Sequence, residues 1–369
     1  MLVLLNCLAM SAFMYLRRFD WVLLTLVLAV LCLGMFNFYQ NGQKAAPIIE
    51  KNFYFIIAGT ALCFLISLTD YRIFRNYSTP SIIIYLLVII LLLITFLSSP
   101  IRGSRSWILI SDFALQASEF SKLAVIILLA KYFSQKHVEI YRIHHIIASG
   151  FYVAVPAFLV LIQPDFGSTM ILVTIWLAML FFAGVKRKHL FMIFLIGIVI
   201  LSISWFFAFK PYQKARILAF IDPYIEPRGV GYNTIQTQTT FGAGEVFGTF
   251  FSGDQKPLIL VPERYTDFAF AAFGQRFGLI GVLVLFGLVT AIILRIGKIV
   301  SRVDNNFAKL FGLGLITLIS VHTFMNAGMN LGVLPITGIP FSFLSYGGSH
   351  FITLMIGLGI VESIKLKEQ

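Results

Sequence analysis

The stretch PSIIIYLLVIILLLITFLS, residues 80–98, has no charged side chain and is almost wholly apolar. About 20 such residues in an α-helix, at roughly 1.5 Å per residue, cross a hydrocarbon core ~30 Å thick. Nine further blocks of similar length are largely apolar. Together they predict an all-α, polytopic membrane protein with about ten transmembrane helices, at residues 19–38, 52–69, 80–98, 118–134, 144–163, 168–185, 189–208, 268–294, 306–327 and 345–364.

The composition excludes an ordinary soluble protein. Of the 369 residues, 59% are hydrophobic and 12% are charged, and the mean hydropathy is +0.91. Soluble domains carry about 25% charged residues. The net charge of +12 does not indicate a nucleic-acid partner, because the basic residues lie between apolar blocks and are not interleaved with aromatics. We therefore predict a single membrane-embedded domain, residues 1–369, surrounded by membrane lipid.

The basic residues are distributed unevenly between the two sides of the membrane. An even number of spans places both ends on one side, and the connections on that side carry far more Lys and Arg. Such a bias marks the cytoplasmic side, so we predict that both termini are cytoplasmic. The rich side has Arg17, Arg18, Arg72, Arg75, Lys131, Lys136, Arg142, Lys186, Arg187, Lys188, Arg295, Lys298, Arg302, Lys365 and Lys367; the poor side has Lys44, Lys51, Arg102 and Arg105.

The segment 209–267, between predicted helices 7 and 8, is the longest connection and is extracytoplasmic in this topology. It is polar and glycine-rich, and Gln236 is among its amides. A connection of this length in a compact protein usually has a function. Short apolar stretches within FIDPYIEPRGVGYNTIQTQTTFGAGEVFG, residues 220–248, indicate parts that lie in the interface or re-enter the bundle.

Ionisable residues near the membrane cluster at four places on the outer face or just beneath it. The first is GSRSWILISDFALQASEFSK, residues 103–122. Glu119 and Lys122 are three residues apart on one helical face, so they can pair. They form either a structural ion pair or a cation and an anion that face a polar cavity. Trp107 is most simply an interfacial anchor.

The second cluster is Gln163-Pro164-Asp165-Phe166-Gly167, the whole outer turn between the fifth and sixth spans. A tight turn needs proline and glycine for its backbone, and an aspartate in this place can cap the next helix. Asp165 is therefore either a helix cap or part of a polar site.

The third cluster is PERYTDFAFAAFGQRFG, residues 262–278, which leads from the long connection into the eighth span. Asp267 opens a strongly apolar helix, where a carboxylate can serve as the N-cap. A half-desolvated carboxylate in this place is also suited to act as a base. The residues alone leave both roles open.

The fourth cluster is GMNLGVLPITGIPFSFLSYGGSH, residues 328–350, between the last two spans. Its two prolines and five glycines predict a broken, non-helical segment at membrane depth. Such backbone occurs where it is buried in protein or lines a wet cavity, and a simple hinge is the alternative. Taken without further comparison, the four clusters fit both a transporter and a membrane-embedded enzyme.

In this order, the clusters resemble the SEDS family (shape, elongation, division and sporulation), whose members include RodA and FtsW. The resemblance covers about residues 16–365. The segment LPITGIPF is nearer to the RodA branch than to FtsW. The motifs that carry the resemblance are LRRFDWVLL (16–24), TDYRIFR (69–75), QPDFGSTMILV (163–173), GYNTIQTQ (231–238), PERYTDFAFA (262–271) and LPITGIPFSFLSYGGS (334–349).

The resemblance implies an enzyme of the bacterial cytoplasmic (inner) membrane. It would be a peptidoglycan glycosyltransferase that polymerises lipid II into glycan strands for cell-wall elongation and cell shape. Asp267, in the TDF motif, would be the essential catalytic residue. Because the family makes β-linked products from an α-linked donor, the step inverts configuration and needs one base. Asp267 would be that base, or the ligand of a metal that activates the attacking hydroxyl.

A leaving pyrophosphate must be neutralised by cations, and we assign Lys122, Arg105 and Arg216 to it in that order. Glu119 and Asp165 would orient these cations or line the cavity. We predict no metal-ligand set and no certain cofactor, although Mg²⁺ or Mn²⁺ is compatible with the chemistry. The remaining predicted substrate-binding residues are Trp107, Gln163, Gln236 and Ser345.

The sequence departs from the family pattern at four places. Ser106 replaces an arginine, and Ala117 replaces the proline of a QPSE motif. Tyr265 replaces a histidine in the TDF motif, and Glu245 replaces a glycine in the glycine-rich part of the long connection. The candidate catalytic carboxylate is retained.

The resemblance also implies partners and an alternative function. The partners are lipid II, a class B penicillin-binding protein that supplies crosslinking, and elongation-complex proteins such as MreC and MreD. The alternative is a flippase for the same lipid-linked precursor, in which Asp267 would serve a proton or ion relay. A polymerase makes glycan from purified lipid II, whereas a flippase only moves the lipid across the membrane.

Overall fold

The structure of the chain, a computed structural model, describes residues 15, 17–39, 46–98, 105–110, 113–136, 143–207, 209–251 and 263–368. Lys44, Arg102 and Arg142, which entered the predicted charge bias, lie outside these residues. The elements in chain order are α1 (Trp21–Tyr39), α2 (Ala46–Leu68), α3 (Arg72–Asn76), α4 (Thr79–Ile94), a 3₁₀ turn (Thr95–Leu97), β1 (Trp107–Ile110), β2 (Phe113–Gln116), α5 (Ala117–Gln135), α6 (Ile143–Ile162), α7 (Phe166–Phe182), α8 (Arg187–Phe207), α9 (Pro211–Ile221), α10 (Tyr232–Gly242), α11 (Gly248–Phe251), α12 (Ala269–Ser301), α13 (Asn306–Leu331) and α14 (Gly348–Glu368).

Ten helices in the described part of the chain are long, and they correspond one for one to the predicted spans. Eight of them are long and apolar enough to cross a membrane. The ninth, α7, is apolar but has 17 residues. The tenth, α5, is less apolar because its buried residues include Glu119, Lys122 and Lys131. The predicted all-α, polytopic fold is confirmed. The long helices are α1, α2, α4, α5, α6, α7, α8, α12, α13 and α14.

The centre of the bundle is formed by α5, α13 and α14. Helix α14 packs along α2 and against α5, while α13 packs against α5, α7 and α12. The edge is different: α8 packs against α7, and none of its residues is buried. An apolar helix with no buried residue directs its side chains to lipid, so α8 is held mainly by the bilayer and not by the bundle.

The predicted long connection, 209–267, contains three helices in its described part, α9, α10 and α11. The helix α10 packs against α12 and α13, and its Phe241 ring stacks on Phe270 of α12 with centroids 5.5 Å apart. Helices α10 and α11 of this segment are therefore a folded cap on the bundle. Residues 252–262, with the predicted Gln255, lie outside the described residues.

A β-hairpin precedes α5, in the connection between the predicted spans 80–98 and 118–134, where the sequence prediction gave no element. Strands β1 and β2 pair antiparallel, with Trp107 opposite Gln116 and Ile110 opposite Phe113. The runs WILI and FALQ hold the aromatic and β-branched residues that favour strands, and two residues separate them. The hairpin leads directly into α5.

The eighth predicted span contains a break that the sequence prediction did not include. Gly278 has φ +63° and ψ −166°, so α12 consists of two helical parts that meet there. Only glycine adopts this conformation at low cost. The amides of Leu279 and Ile280, freed by the break, donate to the carbonyls of Glu245 and Val246 at 3.0 and 3.2 Å. The segment between α10 and α11 thus supplies hydrogen-bond acceptors for the main-chain amides at the break.

Asp20 joins the beginning of the bundle to its end. Its carboxylate accepts hydrogen bonds from Arg295 of α12 at 2.9 Å and Lys365 of α14 at 2.9 Å, and from the Leu23 amide. The Asp20 amide donates to Glu362 at 3.1 Å. We call this end of the bundle the terminal face. These contacts place Asp20, just before α1, beside Lys365 in the last turn of α14; the sidedness of the two chain ends stays a prediction.

We predict that Asp20→Asn lowers the free energy of unfolding by roughly 2–3 kcal/mol. The estimate is below that for a fully buried pair, because Arg295 and Lys365 are partly exposed. Burial alone raises the pKa of Asp20, but hydrogen bonds from Arg295 and Lys365 outweigh it and lower the pKa. The contribution of Asp20 to the free energy of unfolding is thus complete above about pH 4. It is lost as the pH falls through the lowered pKa of Asp20.

Thermal unfolding of the purified protein between pH 3 and pH 7 measures this effect. The difference between wild type and Asp20→Asn should narrow in acid. The matched control is Asp304→Asn, which changes an exposed carboxylate next to α13. Equal melting temperatures for wild type and Asp20→Asn at pH 7 would contradict the assigned role.

Candidate functional site

The four predicted clusters meet at the face of the bundle opposite the terminal face, which we call the site face. The Gln116 side chain donates to the Asp165 carboxylate at 3.3 Å, and the main-chain amide of Gln116 donates to the Ser349 hydroxyl at 2.9 Å. The Tyr346 amide donates to the Tyr265 carbonyl at 2.7 Å. The first cluster is therefore joined to the second and fourth, and the fourth is joined to the third.

Asp165 is a helix cap and also a link within this assembly. Its carboxylate accepts from the Ser168 amide at 2.9 Å and so caps α7. The other carboxylate oxygen accepts from Ser118 at 3.2 Å and from the Gln116 side chain. The two predicted roles of Asp165 thus coexist: it begins α7 and fixes that beginning against the start of α5.

A buried cluster of four titratable side chains lies beneath this level. The Lys122 ammonium donates to Glu119 Oε1 at 2.6 Å, which confirms the predicted pairing, and lies 3.1 Å from His322 Nε2. The His350 Nδ1 atom donates to Glu119 Oε2 at 2.8 Å. The two imidazole rings stack with centroids 4.0 Å apart. Lys122 and His322 are fully buried, so this cluster is closed to solvent.

The partners of His322 define its tautomer. Its Nδ1 atom lies 3.2 Å from the Pro340 carbonyl, which can only accept, so Nδ1 carries the hydrogen. Its Nε2 atom therefore offers a lone pair to the Lys122 ammonium. Lys122 is held by one carboxylate oxygen and one imidazole nitrogen, and its positive charge balances the charge of Glu119.

The cluster does not fit the divalent cation that the chemistry would allow. Glu119, His322 and His350 offer ligand atoms within 4.8 Å of one another. Mg²⁺ and Mn²⁺ favour oxygen ligands, whereas two of these three donors are nitrogen. The Lys122 ammonium also bonds two of the three groups, so a cation already occupies the space between them.

Asp267 lies where the turn at residues 263–268 enters α12. The N-cap of α12 is Phe268, which has no capping side chain, so of the two roles that the residues left open for Asp267 the N-cap is not the one that the structure shows. The Asp267 carbonyl accepts hydrogen bonds from Asn326 at 2.8 Å and Asn330 at 3.1 Å. Its Oδ2 atom lies 3.4 Å from the position that a Cβ atom on Gly338 would occupy. The half-buried carboxylate therefore faces the broken segment.

A pocket adjoins this segment. Arg216 and Gln213 of α9 line it together with Thr337, the neighbour of Gly338. The pocket continues into an apolar groove between α7 and α8, because both cavities share the same three side chains, Phe166, Phe209 and Ile217. The groove is lined further by Met170, Leu201, Ser202, Trp205 and Phe206. A basic pocket is therefore continuous with an apolar groove.

The other predicted site residues are placed around this centre. Arg105 is exposed at the start of the hairpin, and Trp107 on β1 is half-buried. Gln163 is fully buried and donates to the Leu92 carbonyl and to Thr95, so it joins the turn before α7 to the end of α4. Gln236 is half-buried on α10, and the Ser345 hydroxyl accepts from the Phe341 amide at 3.0 Å.

Four polar residues of the site were missing from the sequence prediction: His322, Asn326, Asn330 and His350. The first three are spaced by four residues, which places them on one face of α13. Polar and ionisable residues inside an apolar span are functional candidates by default, so this spacing was a usable signal. His350 stood within the quoted fourth cluster, without a role.

The chain is similar to known proteins over nearly its whole length. The family model for cell cycle proteins of the FtsW, RodA and SpoVE type matches residues 12–369. The chain is 30% identical over 347 residues to the peptidoglycan glycosyltransferase MrdB of Escherichia coli K12, covering 94% of this chain and 93% of that one. It is 28% identical over 365 residues to a probable peptidoglycan glycosyltransferase FtsW of Trichlorobacter lovleyi, covering 95% and 93%.

Solved structures share the fold. One, described as the structural coordination of polymerization and crosslinking by a peptidoglycan synthase complex, has a TM-score of 0.82 and 26% identity, covering 95% of this chain and 98% of that one. RodA of Thermus thermophilus has a TM-score of 0.71 and 22% identity, covering 95% and 97%, and shows the fold alone. The chain belongs to the FtsW, RodA and SpoVE family of cell cycle proteins, which is the SEDS family that its motifs resemble.

Proposed function

We propose that this protein is a peptidoglycan glycosyltransferase that polymerises lipid II into glycan strands, with Asp267 as the catalytic base. One observation carries the proposal: the Asp267 carboxylate faces Gly338, and the adjacent Thr337 lines a pocket that contains Arg216. A base and a cation are thus assembled around one segment. The relatives named peptidoglycan glycosyltransferase support the same activity.

The shape of the cavity fits a lipid-linked pyrophosphate. The groove between α7 and α8 is apolar and opens beside a helix whose residues are not buried, so a polyprenyl chain can enter from the bilayer. The pocket at its end holds Arg216, whose planar guanidinium suits phosphate oxygens. A ligand with an apolar tail and an anionic head therefore fits both parts at once.

The reaction needs one proton transfer and one displacement. The Asp267 carboxylate accepts the proton of the attacking sugar hydroxyl. The hydroxyl oxygen then forms a bond to the anomeric carbon of the donor sugar, while the bond from that carbon to the pyrophosphate oxygen breaks. The lipid pyrophosphate leaves with the electron pair of that bond, and Arg216 stabilises its charge. A single displacement inverts the anomeric configuration.

Burial changes the order of the pyrophosphate candidates. Lys122, the first candidate from the sequence, is fully buried against Glu119 and His322. Moving it to a ligand would leave the Glu119 carboxylate buried without its cation, which is costly. Arg216 is exposed and already lines the pocket. We therefore assign Arg216 to the pyrophosphate and Lys122 to the support of the site.

A crosslinking partner is part of the proposal. The solved structure at TM-score 0.82 belongs to a complex that coordinates polymerization and crosslinking. A class B penicillin-binding protein is the partner of that kind for this chain. We also propose that the chain acts in cell-wall elongation, with MreC and MreD as further partners. This part of the proposal rests on the Thr337-Gly338-Ile339-Pro340 segment, whose sequence is nearer to the RodA branch.

The proposed location is the bacterial cytoplasmic membrane, with the terminal face in the cytoplasm and the site face outside. The excess of Lys and Arg on the terminal face supports this orientation. Lipid II polymerisation on the outer surface requires the same orientation, because glycan strands are built there.

We predict that Asp267→Asn reduces polymerisation by a hundredfold or more, the order of a general base's contribution. Asparagine keeps the size of the side chain. The hydrogen bonds from Asn326 and Asn330 go to the main-chain carbonyl of residue 267 and do not involve its carboxylate. Melting temperature and expression should therefore stay near wild type. Purified protein is given lipid II with no other polymerase, and glycan length and rate are measured by gel.

An Asp267→Asn protein that polymerises near the wild-type rate would exclude the base assignment. The same assay tests the alternative function. If purified wild-type protein makes no glycan but moves labelled lipid II across liposomes, the flippase reading holds and the polymerase proposal fails.

We predict that Arg216→Gln raises the lipid II concentration needed for half-maximal rate about tenfold, as expected for one lost charged hydrogen bond of about 1.4 kcal/mol. The matched control is Arg228→Gln, an exposed arginine in the same segment that does not line the pocket. Steady-state kinetics with lipid II give both values. Equal effects of the two substitutions would show a general charge effect and not a pocket contact.

The orientation predicts the accessibility of introduced cysteines. In a background without Cys7, Cys32 and Cys63, a membrane-impermeant maleimide should label Glu226→Cys in intact cells. Lys367→Cys should react only after the cells are permeabilised. Both positions are exposed in the structure. A cysteine that does not react in intact cells is therefore on the side of the membrane that the maleimide does not reach, and is not buried in the protein. The reverse pattern would overturn the proposed orientation.

A further inference from the structure

A stripe of polar side chains runs along one face of α13. His322, Asn326 and Asn330 are spaced by four residues, and all three are fully buried. Residues four apart lie above one another on the same helical face. A buried carboxamide is costly unless its hydrogen bonds are made, so the partners of these groups show what the stripe is for.

The partners are backbone carbonyls from two separate segments. The Asn326 carboxamide donates to the Asp267 carbonyl at 2.8 Å and to the Ile339 carbonyl at 2.6 Å. A carboxamide nitrogen has two hydrogens, so it makes both bonds at the same time. Asn330 adds a second donor to the Asp267 carbonyl at 3.1 Å. Asn326 is thus the bridge between the turn before α12 and the broken segment before α14.

This bridge spans the space in which the proposed reaction takes place. On one side is Asp267, and on the other is Gly338, the neighbour of Ile339, with φ +71°. The Asp267 Oδ2 atom is 3.4 Å from the place of a Cβ on Gly338. Thr337, the next residue, lines the pocket of Arg216. The two hydrogen bonds of Asn326 therefore join the residue that carries the carboxylate directly to the segment that lines the pocket.

We propose that Asn326 is a positioning residue that holds the Asp267 carboxylate at the wall of the pyrophosphate pocket. The inference rests on the proposed role of Asp267 as base. A base displaced by about 1 Å can lose a hundredfold in rate, while substrate binding in the pocket is unaffected. Loss of the bridge therefore lowers kcat and leaves KM unchanged.

The test uses two substitutions of Asn326. Asn326→Leu has a similar volume and no donor, and Asn326→Asp has the same shape but no donor when ionised. Either should lower kcat for lipid II polymerisation tenfold or more, with KM within twofold of wild type. If Asn326→Leu does not fold, Asn326→Asp serves alone. Rates are normalised to the folded fraction from size-exclusion chromatography, so a loss of stability alone does not register.

The matched control is Thr323→Val on the same helix. Thr323 is buried, and its hydroxyl makes no hydrogen bond in the described part of the chain. Removing that hydroxyl keeps the shape and should leave kcat and KM at wild-type values. A fall in kcat for Thr323→Val as large as that for Asn326→Leu would overturn the positioning role, since any change in the packing of α13 would then suffice.

A double substitution separates positioning from general damage. In the Asp267→Asn background the base is absent, so adding Asn326→Leu should not lower the residual rate further. A further tenfold loss there would contradict the inference. If Asp267→Asn is fully active, the proposed role of Asp267 as base fails, and the positioning role of Asn326 fails with it, whereas the proposed polymerase activity fails only if the wild-type protein makes no glycan. If Asp267→Asn is inactive but Asn326→Leu and Asn326→Asp keep wild-type kcat, only the positioning role fails.

Discussion

The need to satisfy backbone carbonyls inside an apolar bundle governs the site face. The chain between α13 and α14 leaves helical geometry, so its peptide groups have no partners within a helix. Lipid provides no donors, and such backbone persists only where protein or water supplies them. Here His322 and Asn326 donate to the carbonyls of Pro340 and Ile339. The helix that supports the broken segment is thereby also the helix that holds Asp267.

Charge imposes a parallel constraint, and the molecule meets it differently at its two faces. On the terminal face, Asp20 is buried but its cations, Arg295 and Lys365, reach toward solvent. Beneath the site face, Glu119 and Lys122 are both buried, and imidazoles complete their hydrogen bonds. The first arrangement joins the beginning of α1 to α12 and to the end of α14. The second arrangement supports the broken segment, because His322 contacts the Pro340 carbonyl.

The sequence predicted the features that depend on local composition. Apolar length is enough to count helices, and spacing is enough to pair Glu119 with Lys122. The convergence of four motifs was predicted because helix parity places them on one face. Features that depend on tertiary packing were missed. The break at Gly278 is possible because carbonyls of the distant segment between α10 and α11 accept hydrogen bonds from the main-chain amides after it. No local sequence pattern reveals these bonds.

The roles of individual polar residues were the least predictable, because burial decides them. Lys122 lies in the fourth predicted span and Arg216 follows the seventh, and nothing in the local sequence shows which of the two cations is buried. Packing of α5 against α13 and α14 buries Lys122, whereas α9 leaves Arg216 exposed at the pocket. A buried ammonium that neutralises a carboxylate has little charge to offer a ligand, since removing it costs several kcal/mol.

The same reasoning applies to carboxylates. Asp165 and Asp267 both precede apolar helices, and either could be a cap. Asp165 is the cap, because its oxygen meets the Ser168 amide and its backbone suits the N-cap position. In α12 the N-cap is Phe268, so Asp267 lies one residue too early to cap it. Asn326 and Asn330 hold the main-chain carbonyl of Asp267, and its carboxylate faces Gly338 beside the pocket of Arg216, which is the arrangement that the proposed role of Asp267 as base requires.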